Sequence, residues 1–268
     1  MDAEEIADEF FETLSAIARE EVSPNKLKNL LQKIQEDCGG DPLRYGEFLQ
    51  EVFPDVICEE VNEIINDSQW RSGEIGPNAL RNPGILRELY PLLTELDENI
   101  ELVFASNPYI PKDIIEVLSD SHFEWEEDGT TSMLARVTDD QNILTKLSKS
   151  ENVSTRFSVA CNVNTPISVL QDLSNDEEFS RHMLYMQFDG GWHQQSSSIA
   201  TDYVRCSIKY AVVQNTSTPI EIIKSMSKNS RSFSFESGVE ILGMTGDEIN
   251  LAFQHEAKEI LQSRERLL

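Results

Sequence analysis

Apolar residues recur every three or four positions through the first part of the chain, the spacing that places them on one face of a helix. The first such stripe comprises Ile6, Phe10, Leu14, Ile17 and Ala18. Further stripes follow Ser23-Pro24 and Asp41-Pro42, where a capping side chain and a proline favour the start of a helix. The pattern therefore predicts an N-terminal helical bundle over residues 1–76.

A second region with helical periodicity lies near the carboxyl-terminal end of the sequence. Thr245 and Glu248 have the spacing of a capping box, in which each residue bonds the backbone N–H of the other. The apolar stripe behind them comprises Ile249, Ala252, Phe253, Ile260 and Leu261. We therefore predict that residues 233–268 form a linker and an amphipathic capping helix.

Between these regions, residues 77–232 contain a pattern that recurs along the chain. Three copies centre on Asn107, Asn162 and Asn215, which are 55 and 53 residues apart. A degenerate copy over residues 134–148 keeps the apolar positions but lacks the asparagine and the proline. The threonines and prolines that follow the three asparagines are Pro111, Thr165, Pro166, Thr218 and Pro219.

Each copy predicts a pair of short helices joined by a tight turn. The asparagine suits the turn, the threonine is expected to cap the second helix, and the proline is expected at its first position. In the third copy, Thr218 and Glu221 also have capping-box spacing. Because such a pair cannot bury its apolar face alone, we expect the copies to stack as an all-α helical repeat, an α-solenoid.

Residues 158–166, Ser-Val-Ala-Cys-Asn-Val-Asn-Thr-Pro, resemble the core of the variant leucine-rich repeat (LRV) family. The resemblance covers roughly residues 100–230. Arg156 and Lys209 stand where that family places a basic residue, whereas the first copy has Glu101 there. The resemblance implies α-helices alternating with short 3₁₀- or α-helices, a curved interaction surface and no particular chemistry.

The founding type of that family carries a cysteine-ligated iron–sulfur cluster before its repeats. Only Cys38 and Cys58 precede the repeats here, so we expect no cofactor. Cys161 and Cys206 are equally isolated, and no cysteine or histidine pair has the spacing of a metal site. Widely separated cysteines of this kind indicate reduced thiols in a cytoplasmic protein.

The charge of the chain is strongly negative and unevenly distributed. The 48 acidic and 22 basic residues give a formal charge of −26, and residues 1–130 hold 31 of the acidic residues but only 9 of the basic ones. This charge opposes direct binding to nucleic acid or anionic lipid and is compatible with a basic protein partner. The alternative is that the acidic residues only keep the N-terminal helices soluble.

Sequence motifs give no positive indication of catalysis. No phosphate-binding loop, nucleophile elbow or HExxH motif occurs, and the histidines His122, His182, His193 and His255 stand apart. We also expect no signal peptide and no membrane span. Whether the chain is an enzyme stays open, although the pattern favours a non-catalytic protein.

Two predicted insertions interrupt the repeats, near residues 123–131 and 187–199. Insertions in helical repeats often form the binding face, and tryptophan is a common anchor of protein interfaces. The alternative is that both loops fold back on the repeats or are simply disordered. Together with the acidic N-terminal helices, the insertions provide these candidate partner-binding residues: Trp192, His193, Trp125, Glu124, Glu126, Glu127, Glu59 and Glu60.

Three functions are compatible with the sequence. The first is a non-catalytic protein-interaction or scaffold module that presents a curved helical-repeat surface. The second is an acidic inhibitor or immunity-type protein that masks a basic partner, with carboxylates imitating a nucleic acid. The third is a small enzyme or lyase built on the repeats, with a site in the concave face or in the loop at residues 188–198.

Overall fold

A computed structural model describes residues 3–53, 57–68, 75–97, 99–121, 124–125, 128–184, 198–229, 232–234, 240–241 and 243–267. The structure is mainly helical, which confirms the all-α prediction. Within these ranges, no helix has the length and apolarity that a membrane span requires. The chain divides into two compact units, Met1–Phe123 and Glu124–Leu268, and the predicted boundary at residue 76 falls inside the first.

Local start and stop signals define the helices of the first unit. The side chain of Asp41 accepts a hydrogen bond from the Leu43 N–H, and that of Asn82 accepts one from the Gly84 N–H. Gly39 has a φ of 72°, a left-handed conformation that ends the preceding helix at little steric cost. The helices are α1 (Ala3–Ala18), α2 (Asn25–Asp37), α3 (Pro42–Val52), α4 (Ile57–Asn66), α5 (Pro83–Thr94), α6 (Ile100–Ser106) and α7 (Lys112–Leu118).

The core of the first unit forms around the apolar stripe of α1, which packs on α2, α3 and α4. Phe10, Leu14 and Ile17 are fully buried, and the ring of Phe10 lies 4.6 Å from that of Phe53. Ala18, the last residue of the predicted stripe, is half-buried. The 3.6-residue periodicity of the sequence therefore identifies the buried face of this helix correctly.

A buried pair of asparagines joins the later helices of this unit. The Asn107 side-chain amide donates to the Asn66 side-chain oxygen at 2.8 Å and to the Leu80 carbonyl at 3.2 Å. The Asn66 amide in turn donates to the Val103 carbonyl at 2.9 Å. Both asparagines are buried, so these bonds satisfy polar groups that water does not reach.

The second unit is built mainly of short helices in sequential pairs, with two small antiparallel hairpins. Helix α8 is followed by α9, α10 by α11, and α14 by α15, while α12 and α13 lie between the last two pairs in sequence. The elements are β1 (Glu124–Trp125), β2 (Asp128–Gly129), α8 (Thr130–Val137), α9 (Gln141–Leu147), α10 (Val153–Cys161), α11 (Ile167–Leu173), α12 (Arg181–Leu184), α13 (Ile199–Arg205), α14 (Ile208–Gln214), α15 (Ile220–Lys228), β3 (Glu240–Ile241), β4 (Met244–Thr245) and α16 (Gly246–Glu265).

Asn162 fastens the α10–α11 turn to the turn before it. Its side-chain amide donates to the carbonyls of Ala135 at 2.9 Å, Arg136 at 3.3 Å and Thr138 at 2.8 Å. Its side-chain oxygen accepts a bond from the Asn164 N–H at 2.8 Å, which closes the turn locally. The backbone is extended at Asn162, with a φ of −72°, so the residue is required for its amide rather than for a left-handed conformation.

Asn215 makes the equivalent contacts one pair further along. Its amide donates to the carbonyls of Ala160 and Asn162, both at 2.8 Å, and its side-chain oxygen accepts from the Ser217 N–H. We call the amide-to-carbonyl bonds of Asn162 and Asn215 the asparagine bridges. They hold α10 against α8 and α14 against α10, and both helix pairs are in contact.

The predicted capping role of the repeat threonines is wrong. The Thr165 hydroxyl donates backwards to the Val159 carbonyl at 2.6 Å, and the Thr218 hydroxyl donates to the Val212 carbonyl at 2.6 Å. Helix α15 has no side-chain cap, so the predicted capping box of Thr218 is absent. Both hydroxyls are buried, and each donates to a carbonyl in the last turn of the preceding helix, where carbonyls lack part of their helical hydrogen bonding.

Helix α16 packs against α13, α14 and α15. The predicted capping box is confirmed, since Thr245 and Glu248 bond each other's backbone N–H. Near the other end of the helix, the Arg264 guanidinium donates to the carbonyls of Thr218, at 2.8 Å, and of Asn215. The carbonyl of Asn162 accepts a bond from the Asn215 amide, and Asn215 stands at the equivalent position of the following sequence copy. Arg264 therefore occupies the place that a further asparagine would take.

The asparagine bridges generate a stability prediction. Replacing Asn162 by alanine removes the amide donor of three carbonyls, two of them at the buried residues Ala135 and Thr138, so we expect the free energy of unfolding to fall by ~2–3 kcal/mol. Urea denaturation followed by circular dichroism measures this change. Asn164→Ala, at an exposed position in the same turn, is the matched control and should remain within about 0.5 kcal/mol of the wild type. Equal losses in the two variants would contradict the role of the bridge.

Candidate functional site

A polar groove lies between α11 and α15 in the second unit, with a cavity volume of about 500 Å³. Gln171 and Asn175 line it from the α11 side, and Glu221 and Ser225 line it from α15. All four residues are exposed. Phe253 of α16 forms part of its apolar floor. We call this cavity the α11–α15 groove.

Lys209 lies at the floor of the groove with only 7% of its side chain exposed. Its ammonium donates to the Ser232 carbonyl and to the Glu177 carboxylate, the latter at 3.3 Å, and it lies 5.2 Å from the centre of the Phe233 ring. A buried ammonium needs such partners, because an unpaired buried charge is strongly destabilising. Lys209 thus anchors two separate chain segments beneath the groove.

Arg156, the other basic residue of the repeats, has the same kind of partner. Its guanidinium donates to Asp176 at 2.8 Å, lies 3.1 Å from the Glu178 carboxylate and donates to the Ser150 carbonyl at 2.7 Å. Consecutive carboxylates at residues 176–178 therefore bind the two basic residues in turn. These basic residues support the repeats from within and are not free to bind a ligand.

Glu101, the acidic residue at the equivalent position of the first copy, bonds hydroxyl groups instead. It accepts hydrogen bonds from the Ser121 hydroxyl at 2.6 Å and from the Tyr90 hydroxyl at 3.4 Å. Burial, followed by the charge of Glu101 and this hydrogen bond, raises the pKa of Tyr90 to about 12. The hydroxyls of Ser121 and Tyr90 therefore bond Glu101, which stands where the other two copies have a basic residue.

Glu59 and Glu60, two of the predicted partner-binding residues, are exposed in the first turn of α4. Burial raises the pKa of the Glu60 carboxyl, and repulsion by Glu63 and Glu59 raises it further. We call Glu59, Glu60 and Glu63 the α4 acidic patch. A raised carboxyl pKa is expected where a carboxylate is partly buried and has other carboxylates close to it.

The remaining predicted contact residues are only partly covered by the structure. Glu124 and Trp125 form strand β1, where they pair with Gly129 and Asp128, and their side chains lie outside the described part. The other predicted contact residues, Glu126, Glu127, Trp192 and His193, lie outside the described residues. Their role in binding stays a prediction.

Two buried thiols are unsuited to act as nucleophiles at neutral pH. Burial raises the pKa of Cys58 to about 12, with Asp97 adding to the effect, and raises that of Cys206 to about 12 with a contribution from Asp202. The thiolate is the reactive form of cysteine, so both residues remain in the unreactive thiol form. Their burial indicates a packing role.

One cluster on α16 has ligand atoms close enough together to hold a metal ion. A ligand atom from each of His255, Glu256 and Glu259 lies within 4.8 Å of the other two. His255 and Glu259 are exposed, with 3.7 Å between the Nε2 and Oε1 atoms. Glu256 is buried and accepts a bond from the Arg205 guanidinium at 3.2 Å, so its carboxylate already has a cationic partner.

The contacts of Glu177 predict a pH dependence of stability. Burial opposes the ionised carboxylate, but the Ser234 N–H, at 2.6 Å, and Lys209 outweigh it and lower the pKa below its ordinary value near 4.5. A lowered carboxyl pKa stabilises the fold above that ordinary value, and the stabilisation is lost as the pH falls through the folded-state pKa.

We therefore expect wild type to lose more stability between about pH 7 and about pH 3 than Glu177→Gln does, as measured by urea denaturation at each pH. The amide of the variant does not titrate, so its contribution stays constant. Identical losses in the two proteins would show that the carboxylate contributes nothing to acid sensitivity.

Comparisons with known proteins were made at three levels. Neither a protein-family model, nor a curated protein, nor a solved structure matches this chain. The function is therefore inferred from the contacts, cavities and charges of the chain itself.

Proposed function

We propose that this chain is a non-catalytic protein-interaction or scaffold module whose helical pairs stack as a curved α-solenoid similar to the variant leucine-rich repeat family. The single observation that supports this most strongly is the pair of asparagine bridges. Asn162 and Asn215 make equivalent bonds to successive turns, as expected where one supersecondary unit is stacked on the next. Stacked units present long continuous surfaces, and such surfaces bind proteins.

We propose the α11–α15 groove as the contact surface of this module. The amides of Gln171 and Asn175 and the hydroxyl of Ser225 offer donors and acceptors to the main chain of a partner segment. The half-buried Ile222 in the same lining supplies apolar contact beside these polar groups. An extended peptide segment, which carries one N–H donor and one carbonyl acceptor per residue other than proline, is the partner that fits this combination.

Helix α16 has the properties of a cap in this proposal. The Arg264 guanidinium occupies the carbonyls that a following asparagine bridge would use, and exposed polar side chains such as Gln262 and Glu259 face solvent. A terminal unit with a polar outer face is what a helical repeat requires at its end. The four free thiols suit a reducing compartment, and we propose a cytoplasmic location.

A second candidate function is supported by the α4 acidic patch. Glu59, Glu60 and Glu63 are all exposed on this helix, and the repulsion of Glu63 and Glu59 adds to the effect of burial in raising the pKa of Glu60. An inhibitor that masks a basic protein needs such a surface, because charge complementarity speeds association. In this alternative the carboxylates of Glu59, Glu60 and Glu63 meet cationic side chains of the partner.

The groove proposal is tested with a substitution that blocks the cavity. Ser225→Arg fills the α11–α15 groove. In a pull-down from the native lysate, we expect the tagged wild type to retain a partner protein in stoichiometric amount and the tagged Ser225→Arg variant not to retain it. Ser168→Arg, an exposed serine on α11 outside the groove lining, is the control and should retain that protein. Retention of the same protein by Ser225→Arg, or no stoichiometric partner for wild type, would refute this function.

The acidic-patch alternative predicts a change in association rate. Reversing charge with Glu59→Lys and Glu60→Lys should slow association with a basic partner by about tenfold at low salt, as measured by surface plasmon resonance. The difference should shrink as salt screens the charges. Glu4→Gln and Glu5→Gln, away from the patch on α1, serve as a control for mutation of exposed glutamates. Unchanged rates in the reversed variant would remove this candidate.

A further inference from the structure

The two asparagine bridges differ in the length of chain that they span. Asn162 bonds carbonyls 24 to 27 residues before it, whereas Asn215 bonds carbonyls 53 and 55 residues before it. Helix α14 nevertheless contacts α10 directly. The direct contact of α10 with α14 therefore spans residues 175–207 of the sequence, of which the structure describes 175–184 and 198–207.

Part of this segment builds a separate surface with α16. Helix α13 packs on α16, and the Arg205 guanidinium bonds the buried Glu256 carboxylate at 3.2 Å. The same guanidinium lies 3.9 Å from the carboxylate of Asp202, which is only 7% exposed. The Arg205–Glu256 bond therefore joins α13 to α16, with a carboxylate that is 10% exposed and a guanidinium side chain that is 44% exposed.

An apolar groove of about 610 Å³ lies on that surface. Ile199 from α13 and Leu251 from α16 line it, and they are 57% and 67% exposed respectively. Ala200, Ala252 and the buried Met244 complete its apolar lining. We call this cavity the α13–α16 groove. Large apolar side chains exposed on both walls of one cavity are characteristic of a protein-binding site.

The charges beside the groove select the class of partner. Glu248 lines it and stays ionised, because its pKa is lowered by the hydrogen bonds from the Thr245 backbone and hydroxyl. Asp247 and Glu259 are exposed on the same helix and outnumber Lys258, the exposed cation there. His255 lines the middle of the groove. The local excess of carboxylates has the same sign as the whole chain.

We propose that the α13–α16 groove binds a basic amphipathic helix of a protein partner. Leucine-like side chains on one face of that helix would contact Ile199 and Leu251, and lysine or arginine side chains beside them would face Glu248 and Asp247. This site is independent of the α11–α15 groove, so either proposal can fail without the other.

The test uses a labelled synthetic helical peptide with leucines on one face and lysines on the other, and the full chain. Wild type should bind it in fluorescence anisotropy, and Leu251→Asp and Ile199→Asp should each weaken binding by at least about tenfold. Aspartate adds negative charge, so these two variants would bind the lysine peptide more tightly than wild type if charge attraction alone held the peptide. Val117→Asp, at a 56% exposed position on α7, is the matched control and should bind as wild type does.

A peptide with glutamate in place of lysine should bind at least about tenfold more weakly than the lysine peptide. Equal affinity for the two peptides, equal binding by Leu251→Asp and Val117→Asp, or no binding by wild type would each overturn the proposal. Wild-type self-association that Leu251→Asp abolishes, seen by sedimentation velocity, would assign the groove to a second copy of the chain and also overturn it.

Discussion

The architecture of the second unit depends on the bond between a buried asparagine amide and the carbonyls of the preceding turn. A turn between two short helices leaves carbonyls without helical partners, and these must be satisfied if the turn is buried. Asn162 and Asn215 solve this problem for the unit before them while closing their own turn through the side-chain oxygen. One residue type therefore shapes each turn and attaches it to its neighbour.

Because the asparagine side chain makes both bonds, Thr165 and Thr218 do not cap the following helix as the sequence predicts. With the turn already closed by the asparagine oxygen, the Thr165 and Thr218 hydroxyls are free to satisfy a carbonyl six residues back. Arg264 then performs at the end of the row what the asparagines perform inside it. Its long side chain and forked guanidinium reach the Asn215 and Thr218 carbonyls from α16, a single long helix, and not from a turn between two short helices.

The charged groups divide into a supporting set and a surface set. Arg156, Lys209 and Arg205 are committed to nearby carboxylates and carbonyls, so these three cations hold separate segments of the chain together. The exposed carboxylates, such as those of the α4 acidic patch, are left in excess. This excess follows from a composition of 48 acidic and 22 basic residues, and it favours basic partners for the α4 acidic patch and the α13–α16 groove.

The sequence by itself determined the helices and their buried faces, because periodicity and capping operate over a few residues. Examples are the α1 stripe around Phe10 and Leu14 and the capping box of Thr245. It also located Asn162 and Asn215 as the repeating elements, but not the carbonyls they bind. Only the tertiary structure decided that Asn215 bonds a turn more than fifty residues earlier, that Asn66 pairs with Asn107, and that Arg264 bonds the Asn215 carbonyl. Long-range partners are selected by packing, and packing leaves no signature in local spacing.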